Sequence, residues 1–314
     1  MLSYILRRIL STLPVMGIVA LFVFSLLYIA PGDPAAVIAG DQASPADVER
    51  IRQSLGLDRP FLIRFGEWVW QILHGDLGTS IFTNLPVSAM IAQRIEPTLS
   101  LMLVTLVFAV FVAVPIGVVA AWKADTLIDR VIMVIAVLGF SVPVFVVAYV
   151  LAYVFALELD WLPVQGYTPL REGLWPWLEN LILPAVALGF VYIAFIARVT
   201  RATMLDVLQQ DYIRTARAKG LDEKTVLLKH GLRGGIIPVI SFTGPALAAL
   251  LAGTVVVERV FAIPGLGNMF INSILNRDEP LTLGIVAFLS IMIMVFNLIV
   301  DVSYGFLDPR IRYE

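Results

Sequence analysis

Cysteine is absent from all 314 residues, and histidine occurs only at His74 and His230. The chain therefore forms no disulfide and offers no thiolate to a metal or to covalent catalysis. Charge is scarce as well: Asp, Glu, Lys and Arg make up 15% of the residues, where an ordinary soluble domain has about a quarter. No G-x-x-x-x-G-K-[ST] phosphate cradle occurs, so ATP is not held in a Walker loop of this chain. A net charge of -2 implies no predominantly basic face, which argues against nucleic acid as a partner. What the sequence has in quantity is oil, with 59% hydrophobic residues and a mean hydropathy of +0.90. Such a chain needs a lipid bilayer as its solvent.

Uncharged or nearly uncharged runs cover residues 9–30, 98–122, 131–157, 180–197, 236–257 and 281–300. Even the shortest reaches about 27 Å as a helix, nearly the thickness of the hydrocarbon core. Lipid offers the backbone no hydrogen-bond partner, so each run must be helical. The expected fold class is an all-α polytopic membrane protein with six transmembrane helices, kinked at Pro14, Pro115 and Pro143. The first run follows Arg7 and Arg8, but it is too long for a signal-peptide core and no small-residue cleavage site follows. It reads as a retained signal anchor.

Orientation follows from the short loops. With the N-terminus inside, Lys123 and Arg130 fall in one inner loop, the basic cluster from Arg198 to Arg233 in another, and Arg310 and Arg312 at the C-terminus. The short outer loops then hold Arg171, Arg259 and Arg277 alone, as the positive-inside rule requires. Both termini are expected in the cytoplasm. Four regions result: 1–30, the cytoplasmic end and first span; 31–96, an extracytoplasmic segment with short amphipathic helices; 97–305, a core of five spans with a cytoplasmic loop at 200–235; and 306–314, a cytoplasmic tail.

In the outer segment, Ser44, Pro45 and Asp47 spell an N-cap, a first helical proline and the partner of a capping box. Further on, Phe61, Phe65, Trp68 and Ile72 recur at helical spacing. That stripe suits either the headgroup interface or packing against the outer ends of the spans.

The spans lack the ionisable groups that mark many ion-coupled carriers; Asp301, Glu258 and Arg259 lie at span ends, where a charge can reach water. The two histidines fall on opposite sides of the membrane and cannot share a metal or a proton relay, so no metal site is expected. Gly244, Ala248, Ala249, Ala252 and Gly253 place small side chains at helical spacing in the fifth span. They allow either close helix packing or a path for a solute.

One polar island interrupts the oil: "DYIRTARAKGLDEKTVLLKH", residues 211–230. Tyr212, Ala216 and Gly220 lie four apart and form a row of low relief on a helix, with Arg214, Arg217 and Lys219 pointing elsewhere. Gly220 suits a left-handed cap, and Asp222 suits the start of a second helix whose Val226, Leu228 and Leu232 turn inward. A flat row beside a basic edge is suited to docking a partner, and a plain connector needs neither.

At these residues the chain resembles the membrane permease subunits of bacterial ABC importers in the dipeptide, oligopeptide and nickel group. The likeness is carried by "MLSYILRRIL", "APGDP", "LGLDRPFLIRF", "HGDLGTS", "RATMLDVLQQDYIRTARAKGL", "VVVERVFAIPGLG" and "LDPRIR", in that order. It implies a type I importer fold: two permeases, forming a heterodimer, with two ABC ATPases and an extracytoplasmic solute-binding protein, in the bacterial inner membrane. It also implies that ATP and Mg2+ belong to the ATPases, with no cofactor and no catalytic residue here. The segment Tyr212, Arg214, Thr215, Ala216, Arg217, Ala218, Lys219, Gly220 would fit a cleft of an ATPase. Glu258, Arg259, Pro264, Gly265 and Gly267 would face the binding protein, and the solute would pass along the small residues of the fifth span. Where the generic importer motif begins Glu-Ala-Ala, this chain has Arg214, Thr215 and Ala216, a departure that looks like the peptide branch; "LKHGLR" and "DPRIRYE" are similar to glutathione importers. The rival readings are an ion-coupled secondary transporter or channel needing no ATPase, and an intramembrane enzyme.

Overall fold

The computed structural model describes residues 2–29, 33–40, 43–54 and 56–307, and among these all side chains outside 2–9, 11–13, 26–27, 29, 34, 37–38, 236–245 and 301–307. The expected tail at 306–314 lies outside them except for its first two residues. The helices are α1 (Leu2–Ile29), α2 (Pro34–Ala39), α3 (Pro45–Ser54), α4 (Phe61–Leu73), α5 (Val87–Trp122), α6 (Leu127–Ser141), α7 (Val144–Leu151), α8 (Leu174–Leu208), α9 (Asp211–Ala218), α10 (Glu223–Thr225), α11 (Leu232–Val260), α12 (Leu266–Leu275) and α13 (Glu279–Leu307). Wide π-helical turns occupy Ala152–Glu158 and Val226–Gly231. Among the described residues the only β pairing is an isolated bridge between Thr79 and Pro86.

The all-helical expectation holds. α5, α8 and the Glu279–Val300 part of α13 are each long and apolar enough to cross a membrane, and α6 with α7 and its π turn makes a bent fourth candidate. The run at 9–30 lies along α1 and that at 236–257 along α11, both only partly within the described side chains. Pro14 and Pro115 sit inside helices that continue past them. Pro143 does more than kink its run. Val142 is extended at φ -94°, ψ 122°, and the helices on either side differ in direction by 101°. A proline removes one backbone donor and disfavours helical geometry at its predecessor, and here the break falls at the residue before it.

The chain divides into two compact units: Met1–Glu96 with Gly265–Val295, and Pro97–Pro264 with Phe296–Glu314. In the first, the capping box forms as expected: the Ser44 N–H donates to Asp47 Oδ2 and the Asp47 N–H to Ser44 Oγ, both at 3.3 Å. The Ser44 hydroxyl, donating to Asp47 at 2.6 Å, holds that carboxyl below its ordinary pKa. The aromatic stripe of α4 turns inward. Phe61, Phe65 and Trp68 gather around Phe24 of α1 with ring centroids 5.3, 5.5 and 6.0 Å away. Arg64 lies over the same ring and donates two hydrogen bonds to Glu279, at 2.5 and 2.7 Å, in the first turn of α13. Of the two readings for this stripe, packing against a neighbouring apolar helix, α1, is the observed one.

In the second unit, α8 is the central post. α6, α7 and α11 all pack on it. The core runs through Ala109, Ala113, Val118 and Ala121 of α5 and Ile196, Ala197 and Met204 of α8. Small residues set the spacing, since without a strong hydrophobic force between spans, close backbone approach supplies the packing. A Cβ at Gly117 would lie 2.5 Å from Thr200 Cβ and 2.7 Å from the Ala197 carbonyl oxygen, so this contact admits glycine alone.

Candidate coupling site

The polar island folds as a short helix, a break and a return. α8 ends at Leu208 with Gln209 as its C-cap, and Gln210 is extended at φ -68°, ψ 149°, turning the chain into α9. α9 closes at Lys219, and Gly220 takes φ +76°, the left-handed conformation expected of it. Asp222 then caps the next turn by accepting the Lys224 N–H at 3.2 Å, also as expected. The π turn Val226–Gly231 carries the chain into α11.

A small core holds this piece in place. Ile213 and Val226 are wholly buried and Ala216 is 6% exposed; Val207 and Leu208 at the end of α8 pack against them. Two expectations are corrected by this core. Ala216, placed on a flat partner-facing row, points into the chain itself, because it lies three residues from Ile213 on the helix face that α8 covers. Leu228, expected inward, is 61% exposed, while its neighbour Leu227 is buried. The π turn spreads its residues more widely than an α-turn and shifts the inward position by one.

The other face of α9 is open. Tyr212, Arg214, Thr215, Arg217, Ala218, Lys219 and Gly220 are all exposed. Arg217 donates to both oxygens of Glu223 at 2.7 and 3.2 Å, and that carboxylate raises the guanidinium above its ordinary pKa. Arg214 makes a longer pair with Asp211, at 3.5 Å. Beside α9 lies an open hollow of about 320 Å3 lined by Tyr212, Lys229, His230, Arg233 and Gly234, with no carboxylate in its wall. Such a surface attracts an acidic partner.

Contact with the spans is made through glycines. A Cβ at Gly234 would lie 2.8 Å from the Tyr212 hydroxyl, and one at Gly235 would lie 2.9 Å from Met204 Sδ. The first residues of α11 therefore lie close against both α9 and the C-terminal end of α8.

Sequence reasoning missed one polar feature of this region. Asp129, 3% exposed, receives the Arg201 guanidinium through Nε at 2.5 Å and Nη2 at 2.6 Å, and accepts the Asp125 N–H at 3.1 Å. This fork ties the first turn of α6 to the C-terminal part of α8. The available signal was an acid two residues before one apolar run and an arginine four residues after another.

The proposed path residues part company. Gly253 faces α8, where a Cβ would meet Leu188 Cδ1 at 2.8 Å, so it serves helix packing. Ala248 is half-buried; Ala249 and Ala252 are exposed and share a face with exposed Val256. The side-chain surroundings of Gly244 lie outside the described residues. Toward the other end, Glu258 does not reach water as expected. It is fully buried and accepts the Thr98 hydroxyl at 2.7 Å, within the second unit. Gly265 and Gly267 are buried too, which leaves exposed Arg259 and half-buried Pro264 from the set expected to face a binding protein. Among the described residues no group of three or more His, Asp or Glu side chains could hold a metal ion.

Two family models match the sequence. Residues 113–313 match the binding-protein-dependent transport system inner membrane component, and residues 1–102 match the N-terminal part of the membrane component of such systems. A "Probable peptide ABC transporter permease protein" of Sinorhizobium fredii is 46% identical over 310 residues, 99% of each chain. A glutathione transport system permease protein of Salmonella choleraesuis is 41% identical over 314 residues, all of each chain. A solved amino acid ABC transporter aligns with 69% of this chain at 17% identity and a TM-score of 0.49.

Proposed function

The chain belongs to the family of binding-protein-dependent transport system inner membrane components, and from that premise we propose that it carries a short peptide or peptide-like solute such as glutathione inward. It is a permease subunit of an ATP-driven ABC importer, a multi-pass protein of the inner membrane. Its solute class is the one in the names of its relatives, which are peptide and glutathione permeases. In the proposed assembly it crosses the membrane six times with both termini in the cytoplasm, pairs with a second, different permease, and receives solute from an extracytoplasmic binding protein. Two partner ATPases bind ATP and Mg2+, and this chain performs no covalent chemistry. Arg259 and Pro264 lie on the receiving side, and the Ala249, Ala252 and Val256 face borders the path.

The observation that carries the coupling role is the two-sided character of α9. One face is sealed onto α8 and the π turn through Ile213 and Ala216, while Arg214, Thr215, Arg217, Ala218 and Lys219 remain exposed. An ATPase cleft that grips the exposed face moves the spans through the sealed one. Closure driven by nucleotide then biases the permeases between outward and inward access, giving two sites and two global states.

The absence of native cysteines makes the test direct. In the assembled importer, Ala218→Cys and a single cysteine in the ATPase cleft should form a disulfide whose yield changes with nucleotide. No cross-link from any position between Tyr212 and Lys224 would remove the docking role. Gradient-driven solute flux through vesicles holding this chain alone would instead establish the ion-coupled carrier or channel.

A further inference from the structure

The stripe that α4 buries leaves a second apolar face uncovered. Leu62, Ile63, Trp70 and Leu73 are 75%, 51%, 65% and 74% exposed, and with Gly66 they form one side of the helix with no charge on it. A helix apolar on both faces in a chain that needs lipid is placed in the interface, and Trp70 is the residue type that settles there. Its depth is set by the Arg64–Glu279 ion pair. Both side chains are mostly buried, at 14% and 18% exposure, and together they bind α4 to the first turn of α13, the polar end of a spanning helix.

Below that level, α1, α4 and α13 enclose a groove of about 200 Å3. Gly17 and Ala20 of α1, Val69 and Leu73 of α4, and Val286 and Ser290 of α13 define it. The Ser290 hydroxyl is spent on the Val286 carbonyl at 2.8 Å, which leaves the wall hydrocarbon in character. A cavity of this kind stays dry. It does not suit a peptide, whose amides would go unpaired there. Gly17 borders open space, since a Cβ at that residue would meet nothing within 4 Å. Along α13 the groove extends from Leu283 to Ser290, beginning about 6 Å below Glu279 and ending about 16 Å below it. In a bilayer whose hydrocarbon core is about 30 Å thick, that is the depth of one leaflet's tails.

We propose that this groove holds one acyl tail of a membrane phospholipid from the leaflet on the α4 side. The exposed row of α4 rests among the neighbouring headgroups. The inference rests on the membrane-embedded reading above, and on its proposed orientation only for calling that leaflet the outer one. The tail fills the space that small residues leave between α1 and α13, and so makes the seat of α4 partly lipid.

The test uses the full importer reconstituted in bilayers, with Trp68, which lines the groove, as the sole tryptophan of this chain. Phospholipids brominated on their tails should quench it along a curve that saturates at a low fraction of brominated lipid. Gly17→Phe, which fills the groove, should cut that quenching at least twofold and remove one phospholipid from the complex retained in native mass spectrometry. Gly17→Ala should change neither. Quenching that rises only in proportion to bulk lipid overturns the proposal, and this outcome needs no variant at Gly17 to fold. Quenching unaffected by a folded Gly17→Phe overturns it as well. So does a Gly17→Cys cross-link to the second permease, because the groove would then seat a protein helix. Failure of the importer to partition into bilayers at all would overturn the membrane reading itself.

Discussion

Removing either partner of the Asp129–Arg201 fork should damage the second unit, and the two removals should not be equal. Arg201→Ala leaves a carboxylate whose side chain is 4% exposed, with the Asp125 N–H still donating to it. Breaking a buried pair from one side costs about 3–5 kcal/mol, because the abandoned charge cannot recover its water. Asp129→Ala abandons a guanidinium that is 23% exposed and carried on a long stem. That head can turn toward solvent, so about 2 kcal/mol is the expected loss. Arg201→Lys keeps the charge and gives up the planar fork, for about 1–2 kcal/mol. Melting of the purified importer in detergent should rank the variants native, Arg201→Lys, Asp129→Ala, Arg201→Ala. In the double-mutant cycle the coupling energy should be about 2–3 kcal/mol, below the roughly 4 kcal/mol that two unit charges 4 Å apart feel at an effective dielectric constant of 20. Single variants that melt like the native protein, or a coupling energy near zero, would refute the claim that this pair fastens α6 to α8.

Gly220→Val should leave membrane insertion intact and destabilise the turn after α9 by about 1–2 kcal/mol, because the site has open space but a φ of +76°; ATP hydrolysis continuing without solute uptake in proteoliposomes is the expected readout. Gly117→Ala should lower the melting temperature of the importer, costing about 1–3 kcal/mol, since the new methyl meets the Ala197 carbonyl oxygen at 2.7 Å and backbone cannot turn aside.

What the sequence discloses here is local. Ser44 and Asp47 form their box, Gly220 turns left-handed and Asp222 caps, because each depends on atoms within a few residues. Helical character was legible for a stronger reason, since lipid leaves the backbone no alternative. The failures involve partners far along the chain or changes of helical register. Periodicity found the Phe61, Phe65 and Trp68 stripe but could not choose between lipid and Phe24 as its cover. It placed Leu228 inward because it counted α-turns through what is a π turn. It assigned Glu258 to water, since nothing local announces Thr98 a hundred and sixty residues away. The Arg201 fork to Asp129 escaped for the same reason, being a pairing across 72 positions.

The strength of the seat under α9 decides whether a push on it reaches the spans. Ile213 and Val226 are both wholly buried, and burying side chains of this size contributes about 1.5–3 kcal/mol each. Coupling free energies between sites are typically about 1–3 kcal/mol. The seat therefore exceeds the load that the proposed coupling would place on it, and α9 should move with α8 and α11 as one piece rather than peel away. Ile213→Ala inverts that order, because truncating a buried isoleucine to alanine costs about 2–5 kcal/mol. The variant should assemble with its ATPases through the intact Arg214–Lys219 face and hydrolyse ATP, yet lose most uptake per ATP consumed. Tyr212→Phe removes only the hydroxyl that lies against Gly234 and should keep the native ratio. An Ile213→Ala importer that transports at the native ratio would mean that force reaches the membrane by a route other than this three-residue core.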